Sequence, residues 1–124
     1  GTNKSHIARA ALEAIALRSR EIIIEMEKDS GTKFNNLKVD GGASNNNLLM
    51  QIQSNLLNTN VIRPKITETT ALGAAFFSGL ASGFWSSIDE LKGIWEIDRE
   101  FCAAPSKNDE SVINNWESRI KKVQ

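Results

Sequence analysis

Two adjacent glycines and a nearby asparagine lie where a predicted strand meets a predicted helix, and they have the clearest potential for chemistry. Gly41 and Gly42 follow Asp40, and Asn46 comes four residues after Gly42, in the segment LKVDGGASNNNLLMQ of residues 37–51. We call residues 40–46 the glycine turn. A backbone without Cβ atoms can approach a ligand closely, and a helix N-terminus behind such a turn favours nucleotide binding. The same arrangement also occurs as an ordinary turn, so these residues alone leave both interpretations open.

The other candidates for chemistry have structural interpretations that we favour. His6 is the only histidine and Cys102 the only cysteine, so the sequence offers no metal-binding pair and no internal disulfide. Thr69 and Thr70 stand at the start of a predicted helix, where we expect capping rather than phosphate binding. Asp40 is expected to orient the glycine turn by accepting backbone N–H bonds. We predict no metal ligands in this chain.

The composition excludes several partners. Fifteen Lys and Arg residues balance fifteen Asp and Glu residues, so the chain has no basic field to attract nucleic acid or an anionic membrane surface. No apolar run approaches the about 20 residues that a membrane-spanning helix needs, and no signal peptide is recognisable. The single cysteine fits a reducing compartment. We therefore expect a cytoplasmic protein that binds neither nucleic acid nor membranes.

The elements that must position the glycine turn begin with a long amphipathic helix. Apolar residues recur every three or four positions from Ser5 to about Lys28, and Gly31 suits a C-terminal cap. The predicted apolar stripe consists of Ala8, Ala11, Leu12, Ile15, Ile22, Ile23 and Met26.

A strand, a helix and a second strand follow. Residues 37–39 and 60–63 read as strands, Ser44 or Asn45 can cap the helix between them, and Pro64 ends the second strand. Two strands joined by one helix over about 25 residues form a βαβ unit with parallel strands. The predicted apolar side of the helix consists of Leu48, Leu49, Ile52 and Leu56.

Residues 68–83 form a third predicted helix, rich in Ala and Gly. Glycine inside a helix costs up to about 1 kcal/mol relative to alanine, so we expect these small residues to allow close approach of another backbone. The tail then reads as a short helix, Ser87 to Lys92, and an edge strand or extended arm over residues 95–101. Asn108 or Asp109 is expected to cap a last helix. Its predicted apolar stripe consists of Ile113, Trp116, Ile120 and Val123, with Arg119, Lys121 and Lys122 near its C-terminal end.

These elements predict a single α/β unit of 124 residues, in which residues 1–84 form the core portion and residues 85–124 the C-terminal tail. Parallel sheets are normally buried on both faces and contain more than two strands. The sequence therefore predicts that part of the sheet is missing upstream.

Three linked motifs carry a resemblance to a known family: HIARAALEAIALRSR from His6, VDGGASNNNLLMQIQSNLL from Val39, and RPKITETTALGAAFFSGLASGFW from Arg63. In this order and spacing they closely resemble the C-terminal end of glycerol kinases, members of the FGGY family of carbohydrate kinases. HIxxAxLE, residues 6–13, looks like the second half of a family signature. The resemblance covers nearly all of the chain and is looser from Cys102 onward.

The resemblance implies part of an actin-like, or ribonuclease H-like, ATPase domain. It also implies a parent enzyme that transfers the γ-phosphoryl group of ATP, with Mg²⁺, to glycerol, giving glycerol 3-phosphate. Gly42 and Asn46 match family positions that contact the adenine nucleotide, and Gly41 shapes the turn. The Asn46 amide offers both a donor and an acceptor to the adenine edge. The run NNN at residues 45–47 differs from the small residues common in relatives.

The resemblance places the glycerol pocket, the catalytic aspartate and the Mg²⁺ ligands upstream of Gly1. We therefore predict no catalytic residue here and an inactive fragment, since phosphoryl transfer depends on positioning by those parts. A homo-oligomer is expected. An alternative from another class is a noncatalytic module that self-associates through its sheet edge and apolar helix faces. A dinucleotide-binding unit is disfavoured because DGGxxxN is not GxGxxG.

Overall fold

The computed structural model describes residues 1–120 of the chain. Helices and strands alternate in the predicted order, helix, strand, helix, strand, helix, followed by a mainly helical tail. The helices are α1 (Lys4–Ser30), α2 (Asn47–Leu57), α3 (Thr69–Ser82), α4 (Ile88–Lys92) and α5 (Lys107–Ile120); the strands are β1 (Asn36–Lys38), β2 (Asn60–Pro64) and β3 (Ile97–Phe101). One turn of 3-10 helix, Gly42–Asn45, lies between β1 and α2.

The three strands form one mixed sheet in the order β1-β2-β3. β1 and β2 are parallel, with Asn36 opposite Asn60, which confirms the predicted parallel pair. β3 runs antiparallel to β2, with Val61 opposite Phe101, and forms an edge strand. The tail thus contributes a strand to the same sheet, while the division at residue 84 stays a prediction.

The core lies between the sheet and the helices α1 and α2. α2 packs against both α1 and the strands, because its apolar side chains occupy more than one face. The buried Ser54 hydroxyl ties α2 to the sheet by donating to the carbonyl of Phe101 at 2.8 Å. The core cluster consists of Ala16, Leu17, Leu49, Met50, Ile52, Leu56, Val61 and Phe101.

The predicted apolar stripe of α1 is only partly correct. Ala16 and Leu17 are the fully buried side chains of α1, and neither belongs to the predicted stripe. Ile15, Ile22 and Met26, which do, are 51%, 62% and 49% exposed. The physical reason is that α1 has apolar side chains on two faces, and only one of them packs against α2 within the part of the chain that the structure describes. Gly31 ends the helix in the left-handed region, at φ 65°, as predicted.

Two predicted helix caps are wrong. α2 is capped by Asn46, whose side chain accepts from the N–H of Leu49 at 3.1 Å, and not by Ser44 or Asn45. Those two residues belong to the preceding 3-10 turn, which shifts the cap toward the C-terminus. Glu68 stands at the N-cap of α3 without a capping side-chain bond, so Thr69 and Thr70 do not cap α3 as predicted.

The last helix also starts differently from the prediction. Ser106 precedes α5 and exchanges hydrogen bonds with Asp109, so neither Asn108 nor Asp109 occupies the cap position. Trp116 is half-buried and packs against the core, which agrees with the predicted stripe of α5. Val123, Lys121 and Lys122 lie outside the described residues.

The small residues of α3 allow a close approach, but to a side chain rather than to a backbone. A Cβ atom on Gly79 would lie 2.2 Å from the Trp85 indole, so this position requires glycine. Trp85 also packs edge to face against Phe76, with ring centroids 5.5 Å apart. The expectation of backbone contact is therefore wrong at Gly79, where an aromatic ring fills the space.

Candidate functional site

The glycine turn lies where the carboxyl ends of two parallel strands meet. The turn follows β1, and the segment that follows β2 is bonded to it, because the N–H of Gly41 donates to the carbonyl of Thr67 at 2.7 Å. The N-termini of α2 and α3 therefore lie at one edge of the sheet. Ligands of open parallel sheets bind at such edges, and the N–H groups and dipoles of two helices favour a negatively charged or polar group there.

Gly41 is required by the backbone itself. Its φ of 75° and ψ of 171° fall in a region that residues with a Cβ rarely adopt. Its carbonyl accepts from the backbone N–H of Ser44 at 3.1 Å and from the Ser44 hydroxyl at 2.7 Å. These contacts agree with the predicted role of Gly41 in shaping the turn, and they assign Ser44, which is 2% exposed, as the residue that closes it.

Gly42 differs from Gly41, because nothing within residues 1–120 requires a glycine there. Gly42 has no left-handed φ, and a Cβ atom built on it meets no atom within 4 Å. Its lack of a side chain leaves open space above an exposed stretch of backbone. A ligand lying against the turn would use that space.

The carboxamide of Asn46 lies at the N-terminus of α2. Its Oδ1 accepts from the N–H of Leu49 and so caps α2. The bond to Leu49 uses Oδ1 and leaves Nδ2 outside the cap, and the residue is exposed. The predicted contact of the Asn46 amide with adenine stays a prediction, and the cap occupies one of the two lone pairs of Oδ1.

Asp40 does not accept the backbone N–H bonds that we expected. Its carboxylate accepts instead from the Thr69 hydroxyl at the first turn of α3. Asp40 therefore joins the end of β1 to the start of α3, because its short side chain reaches the neighbouring helix rather than its own turn. Thr69 is the first residue inside α3, and Glu68 occupies the cap position before it.

A buried arginine lies beneath the glycine turn, and we did not single it out from the sequence. Arg63 on β2 is 9% exposed and donates from Nη1 to the carbonyl of Ser44 and to Oδ1 of Asn47, both at 2.9 Å. On its other side it pairs with Asp98 of β3 at 2.7 Å. A signal was present, since an arginine in a strand of otherwise apolar buried residues needs a polar partner.

The site is an open corner rather than an enclosed pocket. A cavity of about 160 Å³ adjoins it, lined by Asp40, Thr69 and Trp95 among others. A larger cavity, of about 590 Å³, lies at the opposite end of α2 and includes none of Gly41, Gly42 and Asn46. We take the corner formed by the glycine turn as the candidate site because of its position at the ends of β1 and β2, and not because of the size of its cavity.

One exposed ion pair flanks the segment after β2. Lys65 and Glu96 form a hydrogen-bonded salt bridge, which raises the pKa of the lysine and lowers that of the glutamate. Both groups are exposed, so the pair adds little stability. Within residues 1–120, no group of three or more His, Cys, Asp or Glu side chains could hold a metal ion. No helix of the described part is long and apolar enough to span a membrane.

Comparison with protein families gives one match. The family model "FGGY family of carbohydrate kinases, C-terminal domain" matches residues 1–82. Among curated proteins, a glycerol kinase from Burkholderia multivorans is 48% identical over 122 residues, which are 98% of this chain and 24% of that protein. Glycerol kinase 2 from Saccharolobus solfataricus is 49% identical over 123 residues, with 98% and 25% covered. The chain thus spans about a quarter of the length of these relatives.

Solved structures give the same result. The Plasmodium falciparum glycerol kinase, crystallised with ADP, superposes with a TM-score of 0.82 at 33% identity, over 98% of this chain and 25% of that one. A ligand-bound xylulose kinase from Lactobacillus acidophilus superposes with a TM-score of 0.71 at 18% identity, over 99% and 25%, which supports the fold alone. These similarities confirm the resemblance and the predicted class, a part of an actin-like ATPase domain.

Proposed function

The chain belongs to the FGGY family of carbohydrate kinases, and from this membership we propose that it forms the adenine-nucleotide side of the ATP cleft of a glycerol kinase. The observation that carries the proposal is Gly42, where the lack of a Cβ has no purpose inside the chain. The solved relative of similar fold was crystallised with ADP, which supports the same class of ligand.

The proposed contacts follow from the geometry of the turn. Gly42 would let the backbone lie against the nucleoside, and Gly41 sets the turn that presents Gly42. Asn46 would donate from Nδ2 to an acceptor nitrogen of adenine, while its Oδ1 continues to cap α2. The two helix N-termini at this edge would favour the negatively charged nucleotide.

The proposed parent reaction moves the γ-phosphoryl group of ATP to a hydroxyl of glycerol. The bond between the γ-phosphorus and the bridging oxygen breaks, a new bond to the glycerol oxygen forms, and the hydroxyl proton passes to a base. The resemblance puts that base, the glycerol pocket and the Mg²⁺ ligands in the protein upstream of Gly1. Mg²⁺ would neutralise developing charge on the phosphates. In this proposal the 124 residues bind and orient the adenosine and do not catalyse transfer alone.

The proposed setting is the cytoplasm, with ATP or ADP and glycerol as small-molecule partners. We also propose that the parent protein forms a homo-oligomer. We propose neither nucleic acid nor a membrane as a binding partner. The even balance of 15 basic and 15 acidic residues supports the last point.

The test is to measure ATP-dependent phosphorylation of glycerol by the complete polypeptide that carries these residues. We expect glycerol 3-phosphate to form, and we expect the 124-residue chain alone to be inactive. In the complete protein, Gly42→Val should raise the KM for ATP more than tenfold and leave the KM for glycerol unchanged, because the valine side chain occupies the ligand's space. Normal ATP use by that variant would contradict the proposed site.

A second candidate function, a noncatalytic module that self-associates, is favoured by one observation. Several large apolar side chains are exposed, including Ile22 at 62% and Phe77 at 77%. Contiguous exposed apolar surface marks an interaction site. Full phosphorylation activity in the complete polypeptide would decide against this alternative.

A further inference from the structure

The buried arginine of β2 contacts the two residues that flank the proposed adenine-binding position. Arg63 Nη1 donates both to the Ser44 carbonyl, two residues before Asn46, and to Oδ1 of Asn47, directly after it. Both donor–acceptor distances are 2.9 Å. Arg63 therefore holds the backbone of the turn at Ser44, before Asn46, and the side chain of Asn47, after it.

The same guanidinium is fixed from the opposite side by the third strand. Arg63 Nε donates to Asp98 Oδ2 at 2.8 Å, and Nη2 lies 2.7 Å from the same oxygen. The guanidinium carbon also lies 5.4 Å from the centroid of the Phe101 ring. With acceptors on two sides and a ring on a third, the planar group has little freedom to reorient.

This arrangement needs an explanation, because a cation near the N-terminus of α2 opposes the helix dipole. Burial of an arginine side chain, here 11% exposed, adds a desolvation cost. An apolar residue of similar size would fill the same space at lower cost, but it would leave Ser44 and Asn47 without their donor. The arginine is therefore best explained by what it holds in place.

We propose that Arg63 is a positioning residue for adenine-nucleotide binding, and that Asp98 on β3 orients Arg63. The inference rests on the proposed function, since it assigns a role at the same nucleotide site. It predicts that β3 affects nucleotide affinity through the side chain of Asp98. β3 lies beyond the residues matched by the family model. Arg63 does not touch the nucleotide in this proposal; it sets where Gly42 and Asn46 stand.

The test measures the Kd of ADP and the KM values of ATP and glycerol for variants of the complete protein. Arg63→Met should raise the Kd of ADP and the KM of ATP about tenfold or more, because sub-ångström positioning is lost, while the KM of glycerol is unchanged. Arg63→Lys should recover only part of the affinity, since one ammonium cannot serve Asp98, Ser44 and Asn47 together. Asp98→Asn should weaken ADP binding by a smaller factor.

Arg99→Met is the matched control. Arg99 stands opposite Arg63 in the register of β2 and β3 and also lies over the Phe101 ring, at 4.8 Å, but no bond joins it to the glycine turn in the described residues. This control should leave the Kd of ADP within about twofold of the unchanged protein. If Arg63→Met and Arg99→Met bind ADP equally well, the inference is overturned.

The design separates three further outcomes. Should Arg63→Met fail to fold, Asn47→Ala removes one of the two acceptors on an exposed residue, and unchanged ADP affinity in that variant would overturn the inference. Should the unchanged protein itself bind no ADP, the proposed function fails and the inference fails with it. ADP binding that Gly42→Val abolishes and Arg63→Met leaves intact would refute the inference alone.

Discussion

Gly41 and Gly42 are adjacent, yet the structure gives them opposite requirements. Gly41 adopts a φ of 75°, where a Cβ is strained, while Gly42 has neither a left-handed φ nor a neighbour within 4 Å of a built Cβ. Glycine increases the conformational entropy that the chain loses on folding, and residues 1–120 show no packing or backbone need for it at position 42, which supports the proposed ligand contact there.

Alanine substitution separates these two roles. Gly41→Ala should lower the free energy of unfolding by about 1 kcal/mol or more, because alanine resists the positive φ. Gly42→Ala should leave stability unchanged or slightly higher and weaken ADP binding. Thermal unfolding and calorimetric titration with ADP measure both properties. The assignment is wrong if Gly42→Ala unfolds earlier and binds ADP normally.

The helix cap that Asn46 forms and the nucleotide contact proposed for it can be separated in the same way. Asn46→Ala removes the cap of α2 and should cost about 1 kcal/mol of stability, so its effect on nucleotide binding would be ambiguous. Asn46→Ser keeps an oxygen that can accept from Leu49 but lacks the amide donor. We expect near-normal stability and a Kd for ADP raised about fivefold to tenfold in the serine variant. Equal ADP affinity in Asn46→Ser and the unchanged protein would exclude Nδ2 as a contact.

At the scale of elements, the last helix is joined to the first by a charged hydrogen bond. The Trp116 indole N–H of α5 donates to Glu21 of α1 at 2.7 Å. This bond is the main reason why the pKa of Glu21 lies below its ordinary value of 4.5. Arg18 lowers the pKa further, by a smaller amount. A carboxyl with a lowered folded pKa adds stability above its unfolded pKa and loses it as the pH falls through the folded pKa.

We therefore expect the contact between α1 and α5 to loosen only below about pH 4.5, the ordinary pKa of the glutamate. The Trp116 indole N–H resonance in NMR spectra should shift in that range. Glu21→Gln keeps an acceptor but not the charge, and should abolish this pH dependence at a cost of about 1 kcal/mol or less, given solvent screening. An indole resonance that titrates equally in both proteins would show that another acid is responsible.

The glycines of α3 give a matched pair of substitutions within one helix. Gly73→Ala places a Cβ in open space and should stabilise the helix by up to about 1 kcal/mol. Gly79→Ala places it 2.2 Å from the Trp85 indole and should destabilise the protein by a similar or larger amount. Unfolding midpoints of the two variants should move in opposite directions, and a shift of the same sign would contradict the packing at Gly79.

The sequence allowed the elements to be predicted better than their surroundings. The order of helices and strands and the parallel pairing of β1 and β2 follow from local periodicity and turn residues, and they are confirmed. The caps of α2, α3 and α5 were wrong because several polar residues compete at each helix start. Which of them caps depends on turns and neighbours, such as the 3-10 turn before Asn46, that periodicity does not encode.

The glycine turn shows the same limit within the site. Gly41, Gly42 and Asn46 could be proposed from residue type, spacing and family resemblance. Arg63 and its partner Asp98 could not be paired, because they are 35 residues apart and meet only when β2 and β3 align. Contacts between distant strands depend on register, and the sequence of a single chain carries only a weak signal for it.

At the scale of the whole molecule, the described chain has more apolar surface than one packed core accounts for. α1 exposes Ile7, Ile15, Ile22 and Met26, spaced four to eight residues apart on the side away from Ala16 and Leu17. α3 consists largely of apolar and small residues and has Gly79 as its only buried residue. The chain spans about a quarter of its relatives, so in the proposed parent the rest of the protein would cover these faces.

The exposed apolar face of α1 has two candidate partners, the rest of the parent protein and a second copy of this chain. Substitutions on that face distinguish the two. We expect the 124-residue chain to form particles larger than its monomer of 13.7 kDa in light scattering, because exposed apolar faces pair with each other. The double substitution Ile22→Glu and Met26→Glu should shift it toward monomer. Lys107→Glu is the control, because it changes the net charge by the same amount at one exposed residue of α5. It should leave association unchanged.

The same double substitution in the complete protein identifies the natural partner of the face. If the rest of the polypeptide covers Ile22 and Met26, two carboxylates are forced into an apolar interface, and the complete protein should lose several kcal/mol of stability and its activity. If a second copy covers them, the complete protein should stay folded and dissociate into monomers. A complete protein that keeps both its stability and its oligomeric state would show that this face is solvent-exposed in the native molecule, and the explanation of its apolar residues by packing would have to be abandoned.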